Sequence, residues 1–160
     1  MDQIDIDKIE RIIKDREQSN NFYLKRNSKA YNSFLELEKN AFSSHKLERK
    51  YKELIALGIS IIQNCESCME WHVHQALEFG ATLDEIFETV DVAIEMGGGP
   101  STVSARFVIK VVEYYKNKMI RAINTEQELI ECTEIIRSSF KTVADEFNLT
   151  SLMRRPIHQT

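Results

Sequence analysis

A chain of 160 residues with 42% hydrophobic residues and a formal net charge of −4 is long enough for one domain that buries roughly two-thirds of the surface its unfolded form exposes. Its 21 Lys and Arg are interspersed with 25 Asp and Glu, which gives no basic footprint for nucleic acid. The longest mostly apolar run, Leu54 to Ile62, is about half a membrane span, and the acidic opening Met1-Asp2-Gln3-Ile4-Asp5 stands where a signal peptide would be basic, so a cytoplasmic protein without nucleic-acid or membrane partners is predicted.

Two prolines and five glycines, three of them adjacent, are too little punctuation for a many-stranded protein, and an all-α fold is predicted. Ile6, Ile9, Ile12 and Ile13 give an amphipathic first helix behind Asp2, Asp5 or Asp7 as candidate caps, and the polar stretch Ser19 to Ser28 loosens or ends it. This segment reads as an addition to the core. Tyr31, Phe34, Leu37 and Ala41 keep helical spacing until Ser43-Ser44-His45 interrupts it. The charged stretch Lys46 to Glu53 then leads into Leu54 to Ile62, which is apolar on every side and should be buried on every side as the central helix. Among its leading charges, Lys46, Arg49, Lys50 and Lys52 read as a solvated face shared with Glu48 and Glu53.

A helix beginning just after Cys65 carries Trp71, Ala76, Leu77 and Phe79 for packing and stops at Gly80. Thr82-Leu83-Asp84-Glu85 is a capping box for a helix with Ile86, Val90, Ala93 and Ile94 on its buried stripe. Gly97-Gly98-Gly99-Pro100 reads as a tight inter-helix turn, since neither a P-loop lysine nor a Rossmann pattern accompanies it. From Val103 to Met119 the apolar positions keep the helical period for too long to be a strand. A second capping box, Thr125 to Glu128, opens a seam of Leu129, Cys132, Ile136, Phe140, Val143 and Phe147, and Asn148 to Thr160 reads as a frayed tail.

Two of the three cysteines and two of the four histidines fall between Asn64 and His74. On a helix, the steps from Cys65 to Cys68 and from Cys68 to His72 stack two thiols and an imidazole on one face. A helix N-terminus favours thiolate, and a neighbouring imidazole can take or return its proton, so redox chemistry is the leading expectation. A zinc site on Cys65, Cys68 and His72 stays open as an alternative, although no second Cys/His cluster supplies a fourth ligand. Inert packing is the third option. The odd Cys132 reads as a small buried hydrophobe, His74 points away from the thiol line toward surface or a partner, and His45 reads as solvated.

Lys-Glu-Leu-Ile-Ala-Leu (52–57), Cys-Glu-Ser-Cys-Met-Glu-Trp-His (65–72), Gly-Ala-Thr-Leu-Asp-Glu-Ile (80–86) and Met-Gly-Gly-Gly-Pro-Ser (96–101) resemble the alkylhydroperoxidase AhpD-like, carboxymuconolactone decarboxylase superfamily over about residues 31–120. The family pattern of Glu, eleven residues, Cys-x-x-Cys, three residues and His is met by Glu53, Cys65, Cys68 and His72. The resemblance implies a single AhpD-like domain over 1–160 with a core at about 31–120, an N-terminal helical addition at 1–30 and a C-terminal helical extension at 125–160. It implies a cofactor-free thiol oxidoreductase that reduces hydroperoxides or disulfides and is recharged by a dithiol or thioredoxin-like donor. In that scheme Cys68 becomes the sulfenic acid, Cys65 resolves it, and Glu53 and His72 relay protons. The helix dipole alone would favour Cys65 as the thiolate, so the resemblance decides for Cys68. Peroxidases of the family carry a histidine just before the second cysteine, where this chain has Ser67. A zinc-binding or redox-sensing interaction protein using the same cysteines is the alternative function.

The resemblance also implies a homo-oligomer, trimer or hexamer, and the seam from Leu129 to Phe147 is the predicted interface, with docking of that helix on its own domain as the alternative. Light scattering should give an oligomer for the full chain and a smaller species for a truncation ending near Asn124. A folded truncation of unchanged oligomer mass removes the terminal helix from the interface, and a monomeric full chain removes the interface altogether.

Overall fold

In a computed structural model the chain is described over residues 1–122. Six helices and no strand occur among the described residues: α1 (Gln3–Lys25), α2 (Lys29–Phe42), α3 (Arg49–Ile62), α4 (Glu66–Glu78), α5 (Leu83–Gly97) and α6 (Gly99–Ala122). The all-α prediction holds over that span. The seam from Leu129 to Phe147, the second capping box and Cys132 lie outside the described residues. Contacts divide the chain into two compact units, Met1–Asn117 and Lys118–Thr160, and the cysteine stretch belongs to the first. No helix among the described residues is long and apolar enough to cross a membrane.

Asp2 is the cap of α1, its carboxylate accepting from the Asp5 amide at 2.9 Å. Helix α1 ends inside the polar stretch Ser19 to Ser28, as predicted, running to Lys25 and stopping where Asn27 takes φ 50. Ser and Asn cost only about 0.5 kcal/mol each in a helix, too little to halt one already under way, whereas a left-handed residue breaks the ladder. Helix α1 contributes to this chain's core. Ile9 is fully buried with Leu57, Ile61, Met69, Val73 and Val108, and Ile12 and Ile13 pack against the same cluster. Polar ties hold the helix in place at Lys8–Glu66 (2.6 Å) and Asp5–Lys110.

Helix α3 is central, packing on both α4 and α5, but it is not covered on every side. Leu54, Leu57 and Ile61 are buried, while Ile55, Ile59 and Ile62 are each half exposed or more. One neighbouring face is all that α4 and α5 supply, so the outer isoleucines line an apolar groove with Val92 and Met96 of α5. The helix ends at Asn64, whose φ of 53 is tolerated by asparagine and swings the chain back into α4. The Asn64 side chain is itself fixed, its Oδ1 accepting from the Ser104 hydroxyl of α6 at 2.9 Å.

The Thr82/Glu85 capping box forms as predicted and opens α5. The triple glycine is a helix-to-helix turn. Gly98 takes φ 65, which favours glycine, and a Cβ on Gly97 would stand 2.0 Å from the Ser101 hydroxyl, which would have to rotate away.

If α1 is part of the core, Ile9→Ala should lower the unfolding free energy by about 2–5 kcal/mol, whereas Ile4→Ala, at a position 78% exposed, should change it by less than about 0.5 kcal/mol. Urea unfolding of both variants checks this, and equal effects would contradict it.

Candidate functional site

The turn at Asn64 leaves Cys65 as the N-cap of α4, with its Sγ accepting from the Cys68 amide at 3.3 Å. A cysteine at a cap, followed by one full turn, brings the second thiol over the first. The two are joined as a disulfide, Cα to Cα 5.2 Å. Both cysteines are partly buried, and Ser67 between them is exposed.

One turn beyond Cys68, His72 meets the neighbouring helix. Its Nδ1 lies 2.8 Å from Oε2 of Glu53, a carboxylate only 1% exposed. The other oxygen of Glu53 accepts from Arg49 Nε at 3.1 Å, and Arg49 Nη2 donates to the Gln75 side-chain oxygen at 2.8 Å. The Arg49 guanidinium lies 4.1 Å above the Phe79 ring. A carboxylate paired with a guanidinium can only accept, so the Nδ1 of His72 carries a proton toward it, and in the neutral ring Nε2 is the acceptor nitrogen. Phe42 stacks on the imidazole, ring centres 5.6 Å apart.

Cys68 and His72 open onto a cleft of about 500 Å³ whose remaining walls come from α1 and α2. Tyr31, Phe34, Leu35 and Phe42 of α2 and Trp71 of α4 make it largely aromatic, and Arg16, Asn20 and Glu38 add polar groups. Helix α2 buries none of its residues. Behind the cleft, Glu70 is fully buried and accepts from both Arg16 Nη1 and the Tyr115 hydroxyl. Burial, reinforced by that bond to Glu70, pushes the Tyr115 phenol well above its ordinary value, which keeps it a donor.

The structure thus brings Cys65, Cys68, His72 and Glu53 together. His74 lies off the thiol line, as predicted: its side chain is 33% exposed beside Glu78, and its ring stacks on Tyr115 at 4.6 Å between centres. His45 is exposed beside Ser43, as predicted. Three of the charges read as a solvated face are engaged instead, Arg49 on Glu53, Lys50 on Glu85 at 2.7 Å, and Lys52 on the carbonyls of Ala41 and Ser43. The sequence reasoning also passed over Arg16, Glu70 and Gln75. The available signal was weak: Glu70 sits on an otherwise apolar stretch of α4, and Arg16 keeps helical spacing with Ile9, Ile12 and Ile13. Among the described residues no three His, Cys, Asp or Glu side chains are grouped to hold a metal ion.

The model of the carboxymuconolactone decarboxylase family matches residues 28–110. The chain belongs to that family. It is similar to an uncharacterized protein of Cupriavidus necator, 34% identical over 86 residues that make up 54% of this chain and 74% of that one. Uncharacterized protein 4 in the cox locus of Paracoccus denitrificans is 35% identical over 81 residues, 51% of this chain and 73% of that one. Among solved structures, the apo form of a carboxymuconolactone decarboxylase family protein from Legionella pneumophila superposes with a TM-score of 0.63 at 30% identity, covering 68% of this chain and 97% of that one. A Thermotoga maritima structure gives 0.59 at 29% identity, covering 67% and 97%. The AhpD-like resemblance and the all-α fold therefore stand, and the family match begins only at residue 28, after α1.

The Arg49–Glu53 pair sets an energetic expectation. Arg49→Ala leaves a buried carboxylate short of a donor and should cost about 1–3 kcal/mol, while Lys50→Ala breaks a solvent-screened surface pair with Glu85 and should cost less. Urea denaturation of the two variants compares them, and equal losses would mean that Arg49 does not hold Glu53.

Proposed function

We propose that this chain is a thiol-dependent oxidoreductase, a peroxidase that reduces organic hydroperoxides by cycling Cys68 and Cys65 between dithiol and disulfide. The observation that carries the proposal is the single constellation of a bonded cysteine pair, an imidazole one turn along the same helix and a buried glutamate fixing that imidazole, all beside an aromatic cleft. Carboxymuconolactone decarboxylation is the poorer fit, because the lactone decarboxylases of the superfamily generally lack the paired cysteines.

In the reduced protein, His72 Nε2 takes the Cys68 proton, directly or through a water. The thiolate attacks the distal peroxide oxygen, an S–O bond forms, the O–O bond breaks, and the leaving alkoxide takes the proton back to become an alcohol. Cys68 is now a sulfenic acid. Cys65 gives up its proton and attacks the Cys68 sulfur, the S–O bond breaks, and hydroxide leaves as water. Two electrons pass from the dithiol to the peroxide, and the disulfide remains. An external dithiol, small or thioredoxin-like, returns it to the thiols by exchange, which suits the reducing cytoplasm. A disulfide substrate uses the same pair by exchange: the Cys68 thiolate forms a mixed disulfide and releases one substrate thiol, then Cys65 attacks the Cys68 sulfur and releases the second. A cleft of about 500 Å³ is of the size that holds small organic molecules, and its aromatic walls favour an organic substituent. Assembly as a homo-oligomer belongs to the same proposal, and the half-exposed isoleucines of α3 are apolar surface that a second copy would cover.

Dimedone trapping after a pulse of cumene hydroperoxide tests the assignment. The Cys65→Ser variant should carry the adduct on Cys68, and His72→Ala should slow turnover by about 10²- to 10⁴-fold without a matching loss of thermal stability. Sulfenic acid at Cys65 with Cys68 intact would reverse the roles of the two thiols, and no adduct on either would end the peroxidase proposal.

A further inference from the structure

We propose that Arg16 is a substrate-contacting residue of the Cys68 site, where its guanidinium donates hydrogen bonds to the peroxide oxygens and holds the alkoxide as it leaves. The inference rests on the thiol-peroxidase proposal above, and it assigns to α1 a part in the chemistry that the family match, which begins at residue 28, does not contain.

The placement of Arg16 is unusually well specified. Its Nη1 donates to the buried Glu70 carboxylate and lies 3.5 Å from the carbonyl oxygen of Ser67, the residue directly before Cys68. Its guanidinium carbon sits 4.9 Å from the centre of the Trp71 ring, and its side chain is 18% exposed. A guanidinium carries five N–H donors in a rigid plane, and these contacts use only those on Nη1. Among the described residues Nε and Nη2 have no acceptor, yet no buried side-chain nitrogen or oxygen there lacks a partner. Those remaining donors are therefore accessible, on a residue that lines the cleft together with Cys68.

Glu70 accounts for the rigidity. A fully buried carboxylate is costly unless paired, and such a pair contributes little net stability over an apolar core. What the pair does achieve is orientation: Tyr115 holds one oxygen of Glu70 and Arg16 the other. The cleft offers no better donor for a developing anion. Glu38 is an acceptor, and Asn20, whose carbonyl oxygen accepts from the Tyr31 hydroxyl at 2.6 Å, has only an uncharged amide N–H to give.

The chemistry calls for such a donor. As the Cys68 Sγ–O bond forms and the O–O bond breaks, negative charge moves from sulfur to the departing oxygen, which later takes its proton from His72. A donor fixed beforehand where that charge develops lowers the barrier without reorganising.

Reduced wild type, Arg16→Gln and the double variant Arg16→Gln/Glu70→Gln are each mixed with cumene hydroperoxide and, separately, with the uncharged alkylating agent iodoacetamide. In the double variant the buried charge leaves with its counter-ion, so the comparison survives if the single variant fails to fold. Oxidation of Cys68 should slow by about 10²-fold, the loss typical of one anion-stabilising donor, while alkylation stays at the wild-type rate. Unchanged oxidation, or equal falls in both reactions, would overturn the role of Arg16. A fast wild type beside fast variants overturns this inference alone, and a wild type no faster than a free thiol overturns it together with the peroxidase proposal.

Discussion

The site depends on one buried carboxylate. Glu53 is 1% exposed and has its two oxygens divided between Arg49 of its own helix and His72 of the next. Removing a carboxylate from water costs several kcal/mol unless good partners replace the solvent, so α3 and α4 are constrained to the register in which both partners reach it. That register sets the histidine tautomer, leaves Nε2 for the cleft and presents Cys68 one turn away on the same helix. Packing alone would have allowed the two helices more latitude, since Leu57, Ile61, Met69 and Val73 are apolar residues of similar bulk.

Around that fixed pair the cleft divides its tasks among three helices. Helix α4 carries the sulfur and the imidazole, α2 supplies the aromatic wall without burying any of its own residues, and α1 supplies the only guanidinium among the cleft residues. The second buried carboxylate, Glu70, repeats the logic of Glu53 on the other side of α4 by ordering Arg16. Two acids on one helix pair thus each fix one nitrogen-bearing side chain in the wall of the cleft that Cys68 also lines.

Much of this was legible because it is local. The capping box at Thr82, the turn at Gly98, the helix starting after Cys65 and the same-face spacing of Cys65, Cys68 and His72 involve residues three or four apart, which is the range that helical periodicity reports. Glu53 entered through the resemblance, since no spacing within one helix selects a partner on the next. Arg16, Glu70 and Arg49 were missed for the same reason: a charged residue on a helix looks solvated until the facing helix is known. For His74, the angle from Cys68 placed it off the thiol line but could not reveal the Tyr115 ring on which it stacks. The apolar run of α3 pointed to a central helix correctly, but composition could not tell that only one face of it meets other helices of this unit.

The most direct test of the account is a single-turnover stoichiometry. Fully reduced protein is mixed with one equivalent of cumene hydroperoxide in the absence of any donor, and thiols and cumyl alcohol are counted together. The account predicts two thiols lost for each alcohol formed, with the loss confined to Cys65 and Cys68 and reversed by dithiothreitol. Alcohol formed without loss of that pair, or thiols that survive while the peroxide remains intact, would contradict it.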